Sequence, residues 1–216
     1  MYLIGDIGNT ETKIFLFNEK LKLKKKWTIS TTSLTNTYLD SKIKLTLIEI
    51  LKIKKILFSS VVPNAFQLIK KFLIKKNKKL KIYELKQIDL KKLIKLKVNR
   101  KQVGSDRIAN AIGVINNNKN YIVIDFGTAT TFDVIIGKTY LGGVIAPGVK
   151  LSLENLSNRA SLIPKIKLSK ISNVIGTNTS KALKSGFFWG YLGLIDNIIK
   201  LIKKQSRKQF KIVLTG

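Results

Sequence analysis

The sequence predicts an α/β protein made of two similar half-molecules, and three observations predict it. A strand, an acidic glycine turn and a returning strand occur twice, as "YLIGDIGNTETKIFLF" (2–17) and "YIVIDFGTATTFDVII" (121–136). Aligned without gaps, Tyr2 meets Tyr121, Asp6 meets Asp125, Gly8 meets Gly127 and Thr10 meets Ala129, which is how an internal repeat shows itself. Short strand-like apolar runs also alternate with stretches of helical spacing, as an α/β chain requires. Finally, the polar, breaker-rich "NNNKN" (116–120) stands between the two occurrences. We therefore expect one half at residues 1–117 and the other at 118–216.

The elements follow in order. Residues 2–8, 12–18 and 22–29 read as three strands, the second joint "FNEKLK" being a hairpin. Residues 40–52 carry apolar positions at near-helical spacing, and "KKILFSSVV" (54–62) reads as a buried strand. Pro63 opens an amphipathic helix with apolar residues at 65, 66, 68, 69, 72 and 73. Residues 80–84 form a short strand, and the Lys-rich 86–103 carries no clear period. "GSDRIANAIGVI" (104–115) is a helix entered through a polar turn. After the repeated hairpin, "YLGGVIAPG" (140–148) is a strand end with paired glycines. Residues 178–204 read as one long helix or two, and "KIVLTG" (211–216) as a strand. A strand in last place leads us to expect a further glycine and at least one helix beyond it.

Composition removes several chemistries. The 216 residues contain no Cys and no His, so disulfides, thiolate zinc sites, Ser-His-Asp triads and histidine bases are excluded. Acid–base work must fall to Asp, Glu, Lys or Tyr. No run approaches the roughly 18 apolar residues of a membrane span and no signal-peptide pattern opens the chain, so the expected location is cytoplasmic, with no membrane partner. The formal net charge is +29. The basic residues are nearly all Lys, the only arginines being Arg100, Arg107, Arg159 and Arg207. Lys, Ile and Asn, all abundant, are what A/T-rich codons encode. Codon composition explains the charge better than selection for a nucleic-acid partner, which would favour the planar Arg fork. The acids number only twelve, and Asp6, Asp106, Asp125 and Asp133 lie in or beside Gly/Thr-rich turns.

These turns carry the candidate chemistry. A glycine two residues after Asp lets the backbone bend sharply and lets a ligand approach its N–H groups. Asn and Thr side chains add hydrogen bonds to phosphate oxygens, Lys13 can reach the same anion, and the carboxylates can hold a hard cation. One such turn would be an ordinary β-turn; two in matched contexts point to a phosphate site. In "VGSDRIANA" (103–111), Asp106 is either a helix N-cap or a base beside a transferred phosphoryl group, with Arg107 as a carboxylate clamp. "GGVIAPG" (142–148) is either a bend at a strand end or a backbone wall against a ligand.

Taken together, "DIGNT", "VGSDR", "DFGTATTFD", "GGVIAPG" and "GTNTSKALKSG", in this order and spacing over nearly the whole chain, resemble the type III pantothenate kinases. These belong to the acetate kinase/sugar kinase/Hsp70/actin superfamily. The resemblance implies two ribonuclease-H-like halves, each a mixed sheet with flanking helices, around a nucleotide cleft. It implies ATP-dependent phosphorylation of pantothenate. Asp6, Ile7, Gly8, Asn9, Thr10, Glu11, Thr12 and Lys13 would form the first phosphate segment, and Thr128 would contact ATP. Asp6 would meet Mg²⁺ through water or phosphate, and Asp125 would bind a monovalent cation, K⁺ or NH₄⁺. Gly104, Ser105, Asp106 and Arg107 would hold pantothenate, with Asp106 as general base. Thr179 would complete the pocket, Thr177 being the lesser alternative. A homodimer is implied as well.

The chain departs from that family in places. Lys97 and Arg100 stand where a Tyr and a Pro are usual, and Ser105 replaces the Ala of Gly-Ala-Asp-Arg. Family members continue beyond Gly216 with another Gly and a helical segment, so the second half is expected to lack its final helix. Rival readings are another small-molecule kinase of the superfamily, a basic nucleic-acid-binding or regulatory protein on the same scaffold, and a decayed remnant.

Overall fold

The computed structural model describes all 216 residues, in two compact units, Met1–Gly113 and Val114–Gly216. In the first unit, β1 (Tyr2–Ile7), β2 (Glu11–Phe17) and β3 (Leu23–Ser30) form an antiparallel meander. The β2–β3 joint is closed by Asn18, whose side-chain oxygen accepts from the N–H groups of Lys20 and Lys22. Two short helices follow, α1 (Asn36–Lys42) and α2 (Leu47–Lys52). The apolar spacing of 40–52 suggested one helix. Thr46 breaks it, because its hydroxyl accepts from Glu49 N while Glu49 accepts from Thr46 N, a reciprocal cap that starts a new helix.

Next come β4 (Lys55–Ser60), α3 (Pro63–Lys76), β5 (Ile82–Glu84), a single 3₁₀ turn at Leu85–Gln87, the two-residue β6 (Lys95–Leu96) and α4 (Ser105–Val114). The sheet order is β3-β2-β1-β4-β5, with β4 and β5 parallel to their neighbours. Alternation puts Leu3, Ile7, Ile14 and Leu16 on one face, and α3 covers it with Phe66, Ile69, Phe72 and Leu73. Gly5 is required here. A Cβ at that position would lie 2.0 Å from the ring of Phe58, its partner on β4.

The second unit repeats the plan. β7 (Asn120–Phe126), β8 (Ala129–Ile136) and β9 (Thr139–Pro147) form the meander. After α5 (Val149–Arg159) and α6 (Thr179–Ser206), β10 (Lys211–Thr215) pairs parallel with β7. These four strands lie in the order β10-β7-β8-β9, which matches β4-β1-β2-β3. One unbroken α6 spans the region read as one helix or two. It packs Leu194, Ile195, Ile198, Ile199 and Ile202 on Ile122, Ile124, Phe132 and Val134. Helix α5 had no sequence signal of its own: it buries only Leu153, so no apolar stripe marks it.

Candidate active site

Within the first unit, β1 lies between an antiparallel neighbour and a parallel one. The carboxyl ends of such strands are where α/β sheets place ligands. Asp6 stands there, paired with Ser59 on β4 and with Lys13 on β2. Residues directly opposite on antiparallel strands point to the same face, so the Asp6 carboxylate and the Lys13 ammonium share one. Gly8 closes the turn by donating its N–H to Glu11 O at 3.0 Å. The rest of the segment divides by exposure. Asn9, Thr10 and Glu11 are exposed, whereas Ile7 and Thr12 are fully buried, Thr12 being hydrogen-bonded to Thr31 at 2.8 Å. Ile7 and Thr12 can offer a ligand only backbone.

The Gly-Ser-Asp-Arg segment meets the same end of the sheet. Val61 N donates to Ile7 O at 3.0 Å, and a Cβ on Gly104 would touch Val61 at 3.5 Å. Helix α4 begins at Ser105, with Gly104 O accepting from Ile108 N. Asp106 is therefore the second helical residue and not the N-cap. Its carboxylate turns back over the helix start, accepts from Arg107 N at 2.8 Å, and occupies the space a Gly104 side chain would need, with 2.2 Å separating the two. Arg107 is half-buried. Ser105 has its side chain fully buried, so its contribution to any substrate is through the backbone. Arg100 donates to Lys86 O and Ile88 O and braces the preceding loop. Lys97 is exposed.

The second unit carries the Asp125 turn. Asp125 pairs with Thr215 on β10, as Asp6 does with Ser59, but Thr131 stands opposite it on β8 in place of a lysine. The cause is one residue of loop. Gly127 N donates to Ala129 O, two residues on, where Gly8 N reaches Glu11 O, three residues on. By register Ala129 thus corresponds to Glu11, one position away from the gapless alignment with Thr10. Gly148 holds this turn from outside. Its N–H donates to Thr128 O at 3.1 Å, and a Cβ there would lie 2.4 Å from Thr128 O and 2.5 Å from Gly127 O. The "GGVIAPG" segment is thereby a wall against the turn itself. Tyr191 on α6 fastens the wall, donating to Pro147 O at 2.8 Å.

Thr179 opens α6 behind the cap of Asn178, which accepts from Lys181 N. Thr177 and Thr179 are both exposed. Thr179 stands about 18 Å along the helix from Tyr191, so this unit by itself does not place Thr179 beside the Asp125 turn. Sequence reasoning missed Glu84, Tyr191 and the part Gly148 plays. Only Gly148 had a signal, its place in a Pro-Gly pair after a strand.

The donor set fits hard cations brought by a nucleotide. No three His, Cys, Asp or Glu side chains gather as a metal cage. Magnesium is ordinarily held by one or two carboxylates together with substrate phosphates, and Asp6, beside the Gly8 turn, fits that description.

Comparisons with known proteins point to one family. A family model described as type III pantothenate kinase matches residues 2–201. The chain is 55% identical to the type III pantothenate kinase of Pelagibacter ubique, over all of this chain and 87% of that one. It is 35% identical to that of Syntrophotalea carbinolica, with the same coverage. Among solved structures, a protein described as a Baf family transcriptional activator from Campylobacter jejuni superposes with TM-score 0.60 at 20% identity, covering 99% of this chain and 90% of that one. One described as a 2-dehydro-3-deoxygalactonokinase from Sinorhizobium meliloti gives 0.54 at 8% identity, with 99% and 93% covered. These two likenesses speak to the fold alone.

Proposed function

The chain belongs to the type III pantothenate kinase family, and from that premise we propose how it works: it phosphorylates pantothenate to 4'-phosphopantothenate with ATP, the first step of coenzyme A synthesis, and Asp106 takes the hydroxyl proton. The observation that carries the assignment is the meeting of two segments at one sheet end. The Asp6–Gly8 turn and the Asp106 helix start both sit at the carboxyl ends of β1 and β4, joined through Ile7, Val61 and Gly104.

In this reading the amides of the first turn and the Lys13 ammonium bind phosphate oxygens of ATP, and Thr128 adds a contact from the second turn. Arg107 pairs with the pantothenate carboxylate, for which its planar fork is suited. Thr179 completes the pocket. Holding the hydroxyl in line with the γ-phosphorus does most of the work, since phosphoryl transfer is chiefly positioning and charge stabilisation. Asp106 accepts the proton as the new bond forms. ATP arrives with a divalent ion, which we take to be Mg²⁺ near Asp6. Asp125 would hold a potassium or ammonium ion, whose charge would help neutralise the phosphates. The neutral Thr131 opposite Asp125, against Lys13 opposite Asp6, supports giving the monovalent cation to the second turn. A cytoplasmic homodimer fits the family, and no helix is long and apolar enough to cross a membrane.

The test is a coupled assay of ADP release with ATP, Mg²⁺ and pantothenate, with and without K⁺, alongside light scattering for the dimer. Turnover that needs pantothenate and rises with K⁺ is expected. ADP release independent of pantothenate, or a preference for a sugar, would overturn the substrate assignment.

A further inference from the structure

A buried acid beneath the helix start has no place in the mechanism so far. Glu84 ends β5 and is only 9% exposed. One of its carboxylate oxygens accepts from Lys86 N at 2.7 Å, closing a reciprocal cap on the 3₁₀ turn. The other accepts from the hydroxyl of Ser105, the first residue of α4. That hydroxyl also lies 3.1 Å from Ser60 O, at the end of β4. Ser105 is fully buried. Its hydroxyl and the Glu84 carboxylate therefore form a polar pair under the site, in a chain with only twelve acids.

Stability alone does not explain such a pair. Buried charged groups cost desolvation, and apolar replacements of the whole set are often neutral or better. What a buried charge-assisted hydrogen bond does supply is a fixed geometry. We propose that Glu84 is a positioning residue: through Ser105 it fixes the first turn of α4 and so aims the Asp106 carboxylate. Both carboxylate oxygens of Glu84 are engaged, one by the Lys86 backbone N–H and the other by the Ser105 hydroxyl, which leaves the side chain little freedom. The Ser105 hydroxyl thereby sits between the end of β4 and the end of β5. Asp106 is the next residue, and a displacement of about 1 Å in a reacting group can cost on the order of a hundredfold in rate. The inference rests on the reading of Asp106 as base, and its test separates the two.

The variants are Glu84→Leu, Glu84→Gln, Ser105→Ala and the double Glu84→Leu/Ser105→Ala. For each, kcat and KM for both substrates, thermal midpoint, and hydrogen exchange at the Arg107 and Ile108 amides are measured. Glu84→Leu should lower kcat roughly tenfold, leave the KM for ATP within about twofold, and speed exchange at the start of α4. Glu84→Gln, which keeps an acceptor, should retain most of the rate. The double variant should be no slower than Glu84→Leu alone, because Glu84 acts only through Ser105, a clear departure from additivity; a double variant restored to the parental rate would overturn the proposal. Simple addition of the single losses would overturn the proposal. So would a lowered thermal midpoint with kcat and exchange unchanged, which marks a merely structural pair. If Glu84→Leu does not fold, Glu84→Gln and Ser105→Ala decide between these outcomes. Should the parent show no pantothenate-dependent turnover, the catalytic reading fails, and exchange alone judges the clamp: unaltered exchange overturns it.

Discussion

Asp106 illustrates how much one residue depends on its neighbour. Its carboxylate occupies the volume that any side chain at position 104 would claim. Gly104→Ala should therefore leave the backbone intact, since the clash is with a movable side chain, yet turn the carboxylate away. The expected result is a kcat lowered by about tenfold to a hundredfold with the thermal midpoint nearly unchanged. If Asp106 is the base proposed above, Asp106→Asn removes it and keeps the shape. It should reduce turnover by about a hundredfold or more and leave the melting curve and ATP binding near those of the parent. Parental kcat in Asp106→Asn would remove the base from this position. Gly148 is the opposite case, because a methyl there meets the backbone oxygens of Gly127 and Thr128. Gly148→Ala should cost about 1–3 kcal/mol in denaturant unfolding, as the second turn has to shift to admit it.

At the scale of elements, legibility followed periodicity. Strands β1, β2 and β4 and helices α3 and α6 could be read because each buries mainly one face, and burial leaves a period of two or about three and a half in the chain; β7 and β8, buried on both faces, were read instead as short apolar runs. The break between α1 and α2 could not, since apolar residues continue through Ile43 and Leu45 while the signal, Thr46 with Glu49, is a local polar exchange. The Ser105–Glu84 contact joins residues 21 apart in sequence and leaves no local pattern at all. Glu49 also gives α2 a testable acid response. Burial pushes its carboxyl up, but the hydrogen bond from Lys25 and those from Thr46 outweigh this and hold it below its ordinary value of 4.5. A depressed carboxylate contributes stability that is present above the ordinary value and is lost as pH falls through the depressed one. Glu49→Gln keeps the cap geometry and removes the charge. It should be less stable than the parent by under about 1 kcal/mol at neutral pH, with the gap closing on acidification, as pH-dependent urea melts would show. A gap that stays constant to low pH would assign the loss to the cap instead of the ion pair.

At the scale of the whole molecule, the repeat was visible in the chain, but its meaning lay in pairing. Only the registers reveal that Asp6 with Ser59 and Asp125 with Thr215 are equivalent places, and that one residue less of loop exchanges Lys13 for Thr131. The net charge of +29 belongs to this scale too. Few of the lysines have acidic partners, Lys25, Lys54, Lys76 and Lys150 among them, and the rest repel one another. On the edge strand β3, Lys24 and Lys26 are exposed, where they guard against edge-to-edge association. Self-repulsion of this kind weakens as the Debye length shrinks from about 30 Å at 0.01 M salt to about 8 Å at 0.15 M. The thermal midpoint should therefore climb by several degrees over that range and then level off, whichever simple salt is used. Polyanions provide the contrast. If the charge only follows codon composition, mixed-sequence duplex DNA should bind at low salt and be released near physiological salt, with a steep logarithmic slope. DNA binding that persists at physiological salt, together with a midpoint raised by DNA there, would show instead that the lysines serve a nucleic-acid partner.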